Sequence, residues 1–146
     1  MYDRLRHASA RDAAGAPASA NDFDALRGHK YCLLVSYRKD GTPVPTPLWF
    51  GMAGGKVYAR TAADDWKVRR IRNNVRVRLA PCTFRGKPRG PVALGRARVL
   101  GPDEEGVAEA ALQANYGLGR RVYKVAADRA SDGSVYLEIS PEQEPV

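Results

Sequence analysis

The sequence predicts a mainly β domain: a small antiparallel barrel of about six strands with helical appendages at two of its connections. Three observations carry this. Val75-Arg76-Val77-Arg78-Leu79 alternates cleanly, valine and leucine inward and arginine outward, as a half-buried strand does. Lys39-Asp40-Gly41-Thr42 separates two strand-like runs, and its Asp-Gly supplies the positive φ that a hairpin turn needs. The main helical signals are confined to the stretches after Asp64-Asp65 and after Gly101-Pro102. At 146 residues and 44% hydrophobic content, the chain has the material for one such core.

Taken in order, residues 1–20 are rich in Ala, Arg, Ser and Gly without an apolar run, and read as a flexible or loosely docked N-terminal tail. They lack the apolar core of a signal peptide, and nowhere do about 18 apolar residues follow one another. The expectation is a cytoplasmic protein with no membrane partner. The barrel is assigned to residues 21–141, with 142–146 as a C-terminal tail. Asn21 to Gly28 reads as a short capped helix with Phe23 and Leu26 inward. Tyr31 to Arg38 is a strand buried on both faces or nearly so.

The returning strand, Thr42 to Phe50, carries Pro43, Pro45 and Pro47 at alternate positions. A strand repeats every two residues, so all three missing N–H groups fall on one side. That side cannot form a normal ladder and must lie at an edge or a split in the sheet. Val44, Thr46 and Leu48 remain able to pair with the first strand. The edge either protects against aggregation or lets a flat ligand lie along it.

Lys56 to Thr61 is the next strand, and it leads through Asp64-Asp65 into a basic helix whose apolar side is Val68 and Ile71. Lys67 then falls in the first helical turn, where the macrodipole disfavours a cation. A bound anion would relieve the mismatch: Lys67, the Thr61 hydroxyl, Arg60 and the helix N–H groups could surround a phosphate, and Lys67 would then contribute little to the empty fold. Alternatively, Asp64 and Asp65 neutralise Lys67 and the arginines form a solvated face. Both readings stand at this point.

Val75 to Cys82 follows, then a basic Gly/Pro loop from Arg85 to Pro91 and a strand from Val92 to Leu100, in which Gly95 marks a bulge or a close approach. Gly101 to about Tyr116 reads as a helix with proline and acids in its first turn, Arg120 to Ala127 as a second helix, and Val135 to Ile139 as the final strand. The net charge of +8 calls for an anionic partner. Nucleic acid is disfavoured because the aromatics do not interleave with the arginines as stacking platforms. Cys32 and Cys82 sit in strands without a CxxC spacing and read as buried free thiols; with two distant histidines, no metal site is expected. No catalytic side-chain constellation is present, so an enzyme of this sequence would rely on a bound cofactor.

Leu33 to Phe50 and Tyr58 to Asn74 together resemble the split β-barrel proteins related to pyridoxamine 5′-phosphate oxidase, and within them the branch that uses the deazaflavin coenzyme F420. Ala80-Pro81-Cys82, Gly86, Gly90, Gly95-Arg96-Ala97 and Asn115-Tyr116-Gly117-Leu118 extend the resemblance over residues 22–141. It implies a six-stranded split barrel, FMN-binding in its general type, with cofactor sites at a homodimer interface. It also implies a phosphate held by Arg60, Thr61 and Lys67, and a tricyclic ring along Pro45, Thr46, Pro47 and Leu48, with Arg70, Ala80 and Pro81 completing the cofactor site. Arg69, Arg70, Arg72, Lys87 and Arg89 could follow a polyglutamate tail. The implied activity is hydride transfer between the deazaflavin and an organic acceptor, with no catalytic side chain. FMN is the alternative cofactor, and a non-catalytic coenzyme binder the alternative role. The C-terminus lacks the arginine- and tryptophan-bearing segment of true pyridoxamine-phosphate oxidases, and Trp66 stands where small residues are common.

Overall fold

The computed structural model describes residues 9–15, 18–115 and 133–142. Its strands are β1 (Tyr31–Tyr37), β2 (Pro43–Trp49), β3 (Gly51–Ala53), β4 (Lys56–Ala62), β5 (Arg76–Cys82), β6 (Ala93–Val99) and β7 (Ser134–Pro141). They form one antiparallel sheet in the order β2-β1-β5-β6-β7-β4-β3. The two edge strands, β2 and β3, are separated in sequence by Phe50 alone. One run of chain therefore forms both edges, and the sheet must curl until those edges meet.

This explains why seven strands are present where six were expected. The run through Phe50 does not end at Gly51. It changes partner there, pairing with β1 before Phe50 and with β4 after it. The β1–β2 register places Val44, Thr46 and Leu48 opposite Ser36, Leu34 and Cys32. Since proline donates no N–H, these are the residues that can hydrogen-bond to β1, and the prolines turn their nitrogens to the far side. The hairpin before β2 closes as expected: Gly41 has φ +89°, and the Arg38 N–H donates to the Thr42 carbonyl at 2.9 Å.

Alternation sorts the strands' side chains between the barrel interior and its outside. Cys32, Leu34, Val57, Val77, Leu79, Ala97, Leu137 and Ile139 point inward and are joined by Phe23, Leu26, Phe50 and Ile71. Phe23 and Leu26 come from the expected short helical segment, here a single 3-10 turn over Asp24–Leu26. Gly95 is a close approach rather than a bulge: the ladder runs through it unbroken, and a Cβ there would lie 2.8 Å from Ile139. Two helices cover parts of the outer face. Within the segment expected as a tail, α1 (Ser9–Ala14) buries Ala10 against Leu33 and Cys82. On the other side, a 3-10 turn over Pro102–Glu104 leads into a helix of residues 105–115, whose Ala108, Ala111 and Leu112 cover Tyr58, Leu100 and Tyr136. The expected helix from Arg120 to Ala127 lies outside the described residues.

That second helix presses directly on the point where the strand changes partner. A Cβ on Gly51 would collide with the backbone of Ala111 and Leu112. Gly51→Ala is therefore expected to destabilise the fold by about 1–3 kcal/mol, the usual range for overpacking against backbone that cannot yield. A urea unfolding midpoint equal to wild type would show that this contact is not tight.

Candidate functional site

The basic helix, now α2 (Trp66–Asn73), begins where Asp65 supplies an N-cap: Lys67 donates its backbone N–H to Asp65 Oδ1 at 3.0 Å. Val68 and Ile71 bury one face against the barrel, and the helix ends at Asn74, with Arg70 and Arg72 in its last turn where the dipole favours cations. Lys67 is only 7% exposed. Its ammonium donates to Thr61 Oγ1 at 2.9 Å and pairs with Asp65 Oδ2 at 2.8 Å. Both carboxylate oxygens of Asp65 are thus engaged by one residue. Burial alone would raise the Asp65 pKa. The hydrogen bonds from Lys67, with the charges of Lys67 and Arg70, instead hold it below the ordinary 3.8.

The structure brings Thr61 and Lys67 together and adds Asp65 as a third member. The dipole mismatch at Lys67 is thereby offset inside the empty fold, which corrects the expectation that Lys67 contributes little to it. Asp64 is exposed. Arg60 is placed differently. Alternation along β4 sends it to the opposite face from Thr61, and its guanidinium lies 5.7 Å from the Tyr136 ring centre, across from it in β7. Arg70 donates from Nε to the buried Ser36 hydroxyl at 2.6 Å, tying α2 to β1.

The remaining expected site residues follow the sheet register. Pro45 and Pro47 lie opposite Val35 and Leu33, while Thr46 and Leu48 lie opposite Leu34 and Cys32 on the core side. Ala80 and Pro81 are buried on β5, across β1 from these positions: Leu33 pairs with both Pro47 and Ala80, and Cys32 with both Leu48 and Pro81. The row is contiguous, but β1 stands between its two ends.

Between the end of β1 and α2 lies an open groove of roughly 550 Å³ lined by Tyr37, Arg38, Lys39, Trp66, Arg69, Arg70 and Asn73. Four of these seven residues are cations and none is a carboxylate, so the groove suits an extended anion. Trp66 is 68% exposed and carries the Arg69 guanidinium 4.8 Å above its ring, so it faces outward. Arg38 reads in the sequence as the end of a strand and Lys39 as an ordinary turn residue. Their basic pair just before Asp-Gly was the one available signal, because the hairpin end and α2 meet only in three dimensions. Lys87 and Arg89 sit on the β5–β6 loop and do not line this groove.

A smaller cavity of roughly 220 Å³ lies between the 3-10 turn of Asp24–Leu26 and the helix of residues 105–115. There Asn115 donates its amide to the carbonyls of Phe50 at 2.7 Å and His29 at 3.1 Å, fastening the seam. Two buried carboxylates also escaped the sequence reading. Glu138 accepts from the Tyr58 hydroxyl and from Arg98 Nε, both at 2.9 Å, and Glu109 accepts from the Tyr136 hydroxyl at 2.8 Å. Each is satisfied within the fold and serves to join strands or helix. Cys32 and Cys82 are free and buried, and burial pushes the Cys82 thiol up to about 12, which leaves it unreactive at neutral pH. Among the described residues, no group of His, Cys, Asp and Glu could hold a metal ion, and no helix is long and apolar enough to cross a membrane.

A family model described as pyridoxamine 5′-phosphate oxidase matches residues 20–144. A search of curated proteins finds no match. Among solved structures, the chain is similar to an F420 reductase, with 20% identity, a TM-score of 0.53, and 85% of this chain and 95% of that one covered. It is similar to an FAD-binding protein from Mesorhizobium loti, with 21% identity, a TM-score of 0.58, and 82% and 86% covered. It is also similar to the heme storage protein HutZ from Vibrio cholerae, with 14% identity, a TM-score of 0.62, and 83% and 87% covered. At these identities the likeness is one of fold.

The Asp65–Lys67 geometry has a measurable consequence. Lys67→Ala is expected to lower the stability of the ligand-free protein at pH 7 by about 1 kcal/mol, between an exposed ion pair and a buried one, because Asp65 is partly exposed. Asp65 has a folded pKa below its ordinary 3.8, so its contribution is complete above that value and is lost as pH falls through the lower folded value. The difference between wild type and variant should therefore narrow toward pH 3 in urea titrations. A variant as stable as wild type at pH 7 would contradict the pairing.

Proposed function

The chain belongs to the pyridoxamine 5′-phosphate oxidase family, and from that premise we propose that it is a coenzyme F420-dependent oxidoreductase that moves a hydride between the deazaflavin and an organic acceptor. The observation that carries this reading is the groove between β1 and α2, with Arg38, Lys39, Arg69 and Arg70 along it and no carboxylate in its lining. FMN ends at its phosphate. F420 continues from its phosphate into a string of carboxylates, and an elongated cationic groove is the complement of such a tail.

The donor set fits the group. Thr61 and Lys67 would offer a hydroxyl and a buried ammonium to the phosphate, with Arg70 one turn further along, and Arg69, Arg38 and Lys39 would hold the carboxylates of the tail. Arg60, over Tyr136, joins the phosphate only by turning away from that ring. The donor-free side of β2 gives a flat ring system an edge without competing N–H groups at Pro43, Pro45 and Pro47. When bound, the deazaflavin supplies the hydride chemistry. The chain's own residues would bind and orient it. Among the described residues the same edge of β2 pairs with no other strand, and it is the surface on which a second copy would complete a homodimer. Two free thiols suit a reducing compartment such as the cytoplasm.

Titration with F420 preparations of different tail length, and with FMN, tests the reading. Affinity should rise with tail length at low salt, and the gain should shrink at high salt, since exposed charges are screened over about 8–10 Å. Arg69→Ala and Arg38→Ala should lose much of that gain. Lys67→Ala should instead weaken every F420 form by roughly 1.5–3 kcal/mol, the size of a hydrogen bond to a charged group. Equal affinity for FMN and long-tailed F420 would move the assignment to an FMN-binding oxidoreductase. Light scattering of the same samples should show a dimer, and a monomer at micromolar concentration would remove the shared-edge model.

A further inference from the structure

Asp65 does two things at once: it caps α2 through Oδ1, and it occupies the Lys67 ammonium through Oδ2 at 2.8 Å. The capping role needs only an acceptor oxygen, and Asn or Ser serves it about as well. The charge is not needed for the cap. It holds an internal anion against the most buried cation of the site, beside the Thr61 hydroxyl that donates nothing to Lys67 and accepts from it. Next to this pair, the groove along α2 is lined by four cations and no carboxylate. Asp65 thus touches the cation that an incoming phosphate needs most.

We propose that Asp65 is an affinity-setting residue: its carboxylate stands in for the phosphate in the empty protein and has to leave Lys67 before a phosphate can take its place. This rests on the phosphate site assigned above. Binding is an exchange of one anion for another on Lys67, not the addition of an anion to a free cation. Three features follow. Lys67 stays compensated when no ligand is present, so the buried ammonium does not weaken the empty fold. A monoanion has little advantage over the resident carboxylate, whereas a dianionic phosphate with a charged tail has more, so the exchange favours a multiply charged ligand over small cellular anions. The released Asp65 carboxylate keeps its bond from the Lys67 N–H and so stays at the helix start.

The test uses the full chain and inorganic phosphate as the probe, with binding followed by calorimetry and by the backbone amide signals of residues 61–70. Asp65→Asn keeps the cap and removes the charge. It should bind phosphate about tenfold or more tightly than wild type, while Asp64→Asn, which removes an exposed charge next door, should change affinity less than threefold. Asp65→Ser repeats the test with a second uncharged cap, and circular dichroism establishes that each variant is folded. If both uncharged caps bind phosphate no more tightly than wild type, or if Asp64→Asn tightens binding equally, the inference is overturned. If Asp65→Asn tightens phosphate but neither wild type nor variant binds F420, the anion exchange stands and the deazaflavin reading falls.

Discussion

Proline nitrogens carry no hydrogen, and in β2 three of them point to one side of the strand. Much of the architecture depends on that constraint. β2 can pair on its other side only, so it becomes an edge, and the pairing with β1 fixes which of its residues face the core. The chain then crosses Phe50 and forms the opposite edge as β3, which forces the sheet to curl. Asn115 and the close approach of Ala111 to Gly51 hold this junction from outside, and buried Phe50 holds it from within. A seam of this kind leaves one side of β2 without N–H donors at its three prolines, and α1 packs near the same strand.

The charges are arranged around the end of that seam. α2 is tied to β1 through Arg70 and Ser36 and to β4 through Lys67 and Thr61, so it spans the barrel between strands that are not neighbours in the sheet. Its buried residues anchor it, and Arg69 and Arg70 face the basic hairpin end across the groove. Concentrating cations in this way costs stability through self-repulsion unless counter-charge is present. Asp65 provides it locally in the empty protein, and an anionic cofactor would provide it more completely when bound.

Legibility in the sequence followed how local each signal was. The alternation of Val75 to Leu79, the Asp40-Gly41 turn and the cap before Trp66 depend on neighbouring residues, and each was readable before the fold was known. The Thr61–Lys67 contact was also near enough in sequence to anticipate. The β2–β3 switch was not, because Met52 and Ala53 look like the approach to the Gly54-Gly55 turn until β4 is laid beside them. Arg38 and Lys39 joined the groove only once the hairpin end met α2. Asp65 was visible as one of two candidate partners for Lys67, but spacing could not choose between neighbours; the N-cap geometry did. The separation of Arg60 from Thr61 was hidden for a related reason. Adjacent residues of a strand face opposite ways, so Arg60 and Thr61, joined in the motif, are parted by the pleat.

The central claim is that a flavin-like anionic cofactor is held between α2 and the β1–β2 hairpin. Backbone amide mapping during a titration with long-tailed F420 tests the location directly. The account predicts that perturbed signals cluster at residues 37–48 and 61–73, with the cavity around Arg27, His29 and Asn115 little changed. Shifts centred on that cavity, with α2 unaffected, would contradict it.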